Sequence, residues 1–242
     1  MYKIKVYGKT DKGIRKNNED SFAAFSTPDS TVVAVADGMG GHIGGKTASK
    51  STVVSVEEFL KGVEFTKLND SEVSKTMINA VRQVQKNLKA MAEKDSELAD
   101  MGTTLNLNVF AGKKLFTLNI GDSRCSHFSK KKLVQISEDH NLASLAQQGK
   151  IDKKYLDHTN YLTSSLGPNK ETKVDFFVTE LSKAGKVIVS SDGVHQFVSE
   201  IELTNILKSK MDLETKTSEA VRVASENKSN DNMTIVVVEY GK

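Results

Sequence analysis

LNLNVFAGKKLFTLNIGD, residues 105–122, decides the fold class. Leu105, Leu107 and Val109 alternate with polar residues. After Gly112-Lys113, Phe116, Leu118 and Ile120 alternate again, and the run stops at Gly121-Asp122. Alternation on both sides of a short glycine turn predicts a β-hairpin, because successive strand side chains point to opposite faces. Upstream, Val32–Ala36 reads as a buried strand running into Asp37-Gly38, followed by a loop dense in glycine. Thr47–Leu60 changes to helical spacing, with Ala48, Val53, Val56, Phe59 and Leu60 as its inner face. Asn69 or Asp70 caps a second helix, in which Val73, Met77, Ala80, Val81, Val84 and Leu88 recur every three or four residues. Downstream, Lys132–Ile136 reads as a strand and Asn141–Gln148 as a helix stopped by Gly149. Lys150–Asn160 has neither period and reads as surface. Phe176–Val178 and Lys186–Ser190 read as strands, the second entering the turn Ser191-Asp192-Gly193. Helices over Glu200–Lys208 and Glu214–Glu226 follow, and Met233–Tyr240 is a closing strand. Strands that cluster in pairs, with helices paired between them, indicate an α+β arrangement and not alternating βαβ units. No repeat or linker divides the chain, so residues 1–242 are read as one domain.

Composition narrows the function classes. The chain has 242 residues, 38% hydrophobic and 27% charged, which is ordinary globular composition. A net charge of +3, with 31 acids interspersed among the bases, does not point to nucleic acid. The short basic stretch at Ser129–Leu133 reads as a solvated hairpin turn. No stretch has the roughly 20 apolar residues of a membrane span, and the N-terminal stretch lacks the apolar core of a secretory signal. A cytoplasmic location is expected. Cys125 is the single cysteine, which rules out an internal disulfide and a thiolate metal cage.

Aspartates carry the chemistry. Asp37 in VAVADG, Asp122 in LNIGDS and Asp192 in VIVSSDG each follow a hydrophobic strand, whereas Asp231 in SNDNMTIVVV precedes one. A single Asp-Gly is usually a turn. Aspartates at four strand ends, with few histidines nearby, point instead to a hard, oxygen-ligated cation such as Mg²⁺ or Mn²⁺. Gly40–Thr47, GGHIGGKT, has the spacing of a phosphate-binding GxxxxGK[ST] loop. Without a βαβ array, and with Asp37-Gly38 at the strand end unexplained by it, that nucleotide-binding alternative is the weaker one.

Short motifs occur in a fixed order: GIRKNNED at 13–20, VADGMGGH at 35–42, MGTT at 101–104, GDSR at 121–124, LTSSLG at 162–167, SDGV at 191–194 and DNMT at 231–234. Together they resemble the PPM family of metal-dependent serine/threonine protein phosphatases, related to phosphatase 2C, in its bacterial form. The resemblance spans nearly the whole chain. It implies a four-layer αββα sandwich in which two antiparallel sheets are flanked by helices. It also implies a phosphoric monoester hydrolase that cleaves phosphoserine and phosphothreonine in proteins, using water held between two Mn²⁺ or Mg²⁺ ions and no phosphoenzyme.

The same resemblance implies residue roles. Asp37 bridges two ions, and the Gly38 carbonyl joins one of them. Asp192 and Asp231 hold the other, and Asp122 with Asp192 holds a third, weaker ion. Glu19 and Asp20 contact the water around the metals, and Arg15 meets the substrate phosphate. The partners implied are phosphoproteins that a serine/threonine kinase modifies, and a monomer is expected. Met39 stands where some relatives carry a histidine acid, which leaves His42 as a candidate proton donor. Ser164 stands where relatives commonly have arginine. A non-catalytic binding module and a phosphatase of small molecules are the competing readings, and the first would be favoured by loss of a ligand aspartate. None is lost.

Overall fold

The computed structural model describes residues 2–40, 43–159 and 161–241. The 105–122 stretch forms the expected hairpin, β5 (Leu105–Ala111) with β6 (Lys114–Ile120), closed by Gly112 at φ +60°. On one side β5 pairs with β3 (Ser30–Met39), and β3 pairs with β2 (Asp20–Ser26). On the other side β6 pairs with β9 (Asp175–Glu180), while the two-residue β4 (Gly102–Thr103) pairs with the end of β3. A second antiparallel sheet runs in the order β1 (Lys3–Asp11), β11 (Met233–Gly241), β10 (Ala184–Ser190), β7 (Arg124–Ser129) and β8 (Lys132–Gln135). The basic stretch is the β7–β8 turn, with Lys130 and Lys131 at positive φ.

Helices cover the outer faces. α1 (Gly44–Leu60) and α2 (Asp70–Lys94) pack on the β3–β5–β6 sheet through Val32, Ala34, Leu105, Leu107, Phe116 and Leu118. α5 (Glu200–Lys208) and α6 (Leu213–Glu226) cover the other sheet through Ile188, Ile235 and Val237. Two shorter helices, α3 (Leu142–Gln147) and α4 (Asp192–His195), complete the described α-helices. Between the sheets, Val33, Val35, Phe110, Val187, Val189, Val236 and Val238 form a third apolar layer. The architecture is therefore the four-layer αββα sandwich.

α2 begins where the sequence places it. Asn69 accepts from the Glu72 N–H at 3.0 Å and Glu72 accepts from the Asn69 N–H at 2.8 Å, a reciprocal cap for two otherwise unpaired donors. All six residues of its predicted stripe are buried. Two expectations need correction. Phe59 does not belong to the inner face of α1; it is 39% exposed, and the buried stripe runs through Thr52, Val53, Val56 and Leu60. The buried serines of α1 bond to other elements, Ser49 with Ser21 of β2 at 3.0 Å and Ser55 with Asn87 of α2 at 2.9 Å. Ser191-Asp192-Gly193 is not a simple turn: Asp192 opens the helical turn α4.

The polar half of the β5–β6 alternation does not face water. Asn106, Asn108, Thr117 and Asn119 are fully buried between the sheets and satisfy one another. Asn108 Nδ2 donates to Asn106 Oδ1 at 2.7 Å, Thr117 Oγ1 donates to Asn108 Oδ1 at 2.8 Å, and Asn106 Nδ2 donates to Asn119 Oδ1 at 2.8 Å. Replacing Asn108 by alanine leaves Asn106 Oδ1 unpaired and the Thr117 hydroxyl with only the Cys125 sulfur, a weak acceptor at 3.7 Å. We expect that change to cost about 1–3 kcal/mol, read from the shift of the urea midpoint at unchanged slope.

Candidate metal centre

Strand order brings the four aspartates to one end of the sandwich. Asp37 lies near the end of β3, Asp122 just after β6, Asp192 just after β10 and Asp231 just before β11. All four line one cavity of about 870 Å³, together with Arg15, Glu19, Gly38 and Asn232. Asp20 begins β2 directly opposite Asp37 in the strand register.

Backbone contacts hold this end in place. The Asp37 N–H donates to Thr104 Oγ1 at 2.9 Å, and its carbonyl accepts from Thr103 Oγ1 at 2.9 Å and from the Thr104 N–H at 2.8 Å. Thr104 and Ser123 share a hydrogen bond of 2.7 Å, and the Ser123 carbonyl accepts from Asn106 at 3.1 Å. The buried asparagine ladder thus runs up to the strand end that carries Asp37. Gly38 must be glycine, since a Cβ there would collide with the Gly45 carbonyl and stand 2.7 Å from the Glu19 carbonyl. Gly45 likewise leaves room for the Glu19 carboxylate.

Asn232, Ser191 and Thr104 have positioning roles that sequence reasoning missed. Asn232 Oδ1 accepts from the Glu19 N–H at 2.7 Å, and its Nδ2 donates to the carbonyls of Lys12 and Asn17, each at 2.9 Å. This one amide fastens the loop carrying Arg15 and Glu19 to the start of β11. Ser191 donates to Asp20 Oδ2 at 2.7 Å and accepts from the Thr234 N–H at 3.0 Å. The available signal was position: Asn232 adjoins Asp231 in DNMT, and Ser191 adjoins Asp192. Arg15 reaches the cavity, donating through Nη2 to Asp231 Oδ2 at 2.7 Å and through Nε to the Asn230 carbonyl at 2.7 Å. His42 lies outside the described residues.

Electrostatics set this cluster apart from ordinary turn aspartates. Burial, reinforced by Asp20, Asp192, Asp122 and Asp231, lifts the Asp37 carboxyl well above the usual range. Burial lifts Asp20 to about 7, with Asp192 and Asp231 adding to it and hydrogen bonds from Thr234 and Ser191 opposing it. Asp122 rises to about 8, through burial first and then Asp192 and Asp139. Burial and then Asp231 raise Asp192. Buried Oδ1 atoms of Asp20 and Asp192 have no hydrogen-bond partner. Two unpartnered carboxylate oxygens among mutually repelling acids make a donor set that a hard divalent cation would satisfy. Among the described residues no three acidic, histidine or cysteine side chains are already grouped as a metal-holding set. The fit therefore rests on the chemistry of the donors, above all those two unpartnered oxygens; Asp231 has one oxygen on Arg15 and the other on the Asn232 N–H at 2.7 Å, and would join them as Arg15 turns away. Cys125 is buried and its thiol is pushed up to about 12, the state of a packing residue and not of a nucleophile.

Comparison with known proteins gives the family and the fold. Residues 8–235 match the family described as Protein phosphatase 2C. The chain is 35% identical to the serine/threonine phosphatase stp of Listeria welshimeri, over 96% of this chain and 94% of that protein. The solved S. agalactiae serine/threonine phosphatase superposes with a TM-score of 0.89 at 24% identity, covering 98% of this chain and 99% of that one, a likeness of fold. The catalytic domain of the serine threonine protein phosphatase PstP, solved in complex with two manganese ions, superposes with a TM-score of 0.85 at 25% identity over the whole of both chains.

Proposed function

The chain belongs to the protein phosphatase 2C family, and on that premise we propose how its residues divide the work of a metal-dependent serine/threonine protein phosphatase. The observation that carries the reading is the meeting of Asp37, Asp122, Asp192 and Asp231, from both sheets, at one cavity. Asp37, with the Gly38 carbonyl, would hold both members of a Mn²⁺ or Mg²⁺ pair, and Asp192 and Asp231 would complete it. Asp122, deeply buried beside Asp192, would serve a third, weaker site. When bound, such ions supply an acidified water for direct attack on the phosphoester and offset the charge that develops on the phosphoryl oxygens.

The protein's own groups then orient and confine the reaction. Glu19 and Asp20 would hold water beside the ligands, Asp20 through the oxygen that has no protein partner. Arg15 would turn from Asp231 to the phosphate, where its planar fork suits paired hydrogen bonds. His42 is the candidate proton donor to the leaving alkoxide. Residues 1–242 would act as one catalytic domain and as a monomer in the cytoplasm, on phosphoproteins made by a serine/threonine kinase. Among the described residues no helix is long and apolar enough to cross a membrane.

The test is hydrolysis of a phosphothreonine peptide with Mn²⁺. Activity should vanish in EDTA, return on adding Mn²⁺ and resist okadaic-type inhibitors; turnover unaffected by EDTA would contradict the proposal. Arg15→Ala should raise KM for the peptide about tenfold, the loss of a charge-assisted contact worth roughly 1.5 kcal/mol. A drop confined to kcat would show that Arg15 acts on the reacting group only after binding.

A further inference from the structure

Resting on the phosphatase reading, we propose that Lys170 is a substrate-binding residue that recognises an acidic side chain next to the phosphoserine or phosphothreonine. Lys170 lines the same cavity as the aspartates and is half-buried there. A Cβ at Gly102 would stand 3.3 Å from Lys170 Cε and 3.1 Å from Met39 Cγ, so the lysine stem lies over the β4 glycine beside Met39. Among the described residues its ammonium makes no ion pair; the residue's hydrogen bond is that of its backbone N–H to the Gly167 carbonyl at 3.4 Å. Lys173, three residues along the chain, is instead paired with Asp175 at 3.0 Å, while Lys16, the other lysine of the cavity lining, follows Arg15 in the chain.

The turn that carries Lys170 is fixed to the frame of the site. Gln85 of α2 clamps Gly167 from both sides, donating to its carbonyl at 2.6 Å and accepting from its N–H at 3.2 Å. Asn169 donates to the Ala99 carbonyl at 3.3 Å, and Leu166 exchanges two backbone hydrogen bonds with Thr103, at 2.8 and 2.9 Å. Thr103 in turn holds the Asp37 carbonyl. Lys170 is therefore placed relative to Asp37 by a short chain of buried contacts. Ser164 cannot supply a charge on this wall; it is buried and bonded to the Lys173 backbone.

Position separates this cation from the scissile phosphate. Arg15 stands beside Asp231 on the β11 side of the cavity, whereas Lys170 stands over Met39 and Gly102 on the β3–β4 side. A strand rises about 3.3 Å per residue, so Met39 is roughly 7 Å along the strand from Asp37, the reach of a neighbouring peptide residue. The aspartates would otherwise repel an acidic flank, and an ammonium on that wall, without an ion pair among the described residues, offsets the repulsion.

The test compares phosphothreonine peptides with aspartate, alanine or lysine at the two positions on each side. The unaltered enzyme should favour the aspartate set over the alanine set about tenfold in kcat/KM, through KM. Lys170→Met should bring that ratio near one, Lys170→Arg should restore it, and Lys170→Glu should make the lysine set the preferred one. Lys130→Met, on the distant β7–β8 turn, serves as the surface-charge control. An unchanged ratio in Lys170→Glu overturns the proposal, as does an equal loss on all three sets, which would place Lys170 on the scissile phosphate or in the wall itself. Fluorescence anisotropy with the same peptides on Asp192→Asn protein reads the order of affinities without turnover. Failure of the phosphatase reading would show separately, as absence of Mn²⁺-dependent hydrolysis by the unaltered enzyme.

Discussion

Replacing Asp192 by alanine will lower kcat on a phosphothreonine peptide by about a thousandfold or more at saturating Mn²⁺, the equivalent of roughly 4 kcal/mol in the barrier. Asp192 opens α4 immediately after β10, so a rigid strand end delivers it to the cavity. One of its oxygens is buried with no hydrogen-bond partner, and Asp37 and Asp231 are its charged neighbours. On the proposed assignment, alanine removes a ligand that no other group on that strand end replaces. It also removes one repelling carboxylate, so in EDTA the variant should melt at a higher temperature than the parent. Lost activity together with raised stability separates a functional acid from a packing residue. Turnover within tenfold of the parent would exclude Asp192 from the metal set.

In EDTA the folded protein should lose several kcal/mol of stability as the pH rises from about 4 to about 8, because one pKa unit corresponds to roughly 1.4 kcal/mol. Asp20 and Asp122 are raised to about 7 and about 8, burial being the main cause in both. The unfolded chain releases these protons near the ordinary aspartate value of about 4. Between the two limits the native state therefore binds more protons than the unfolded state, and the free energy of unfolding falls with rising pH. Below the window both states are protonated and the difference vanishes. Divalent cations that bind the ionised carboxylates should reverse the trend, so saturating Mn²⁺ should stabilise most at the alkaline end. Urea unfolding at pH 5 and pH 8.5, with and without EDTA, reads this directly. Equal stability of the chelated protein at both values would mean that these acids are not held in a repelling, buried cluster.

What could be read from the sequence followed the range of the interaction involved. Asn69 caps α2 and Gly112 closes the β5–β6 hairpin because both are local chemistry, visible within a few residues. The aspartates could be read as strand-end acids, and their ordered motifs gave them roles. Harder to read was what meets across the fold. β1 and β2 lie in the stretch whose sequence drew attention only for its motif and its lack of a signal core, yet Asp20 lies opposite Asp37 solely through the β2–β3 register. Asn106 and Asn108 look like the wet face of a hairpin and are buried, since the second sheet covers that face. Phe59 falls at a plausible helical spacing but lies off the stripe that α1 turns towards β3. The work of Asn232 spans more than 200 residues of separation, with bonds to Lys12, Asn17 and Glu19 that no local pattern encodes.

Calorimetric titration of Mn²⁺ into the unaltered protein and into Asp37→Asn tests the metal centre most directly. Asparagine keeps the side-chain volume and removes the charge that would hold two ions together. Binding of two ions by the parent, with loss of at least one and an affinity for the remaining one weakened about tenfold or more, is the predicted result. Two ions bound by Asp37→Asn as tightly as by the parent would contradict a site built on that aspartate.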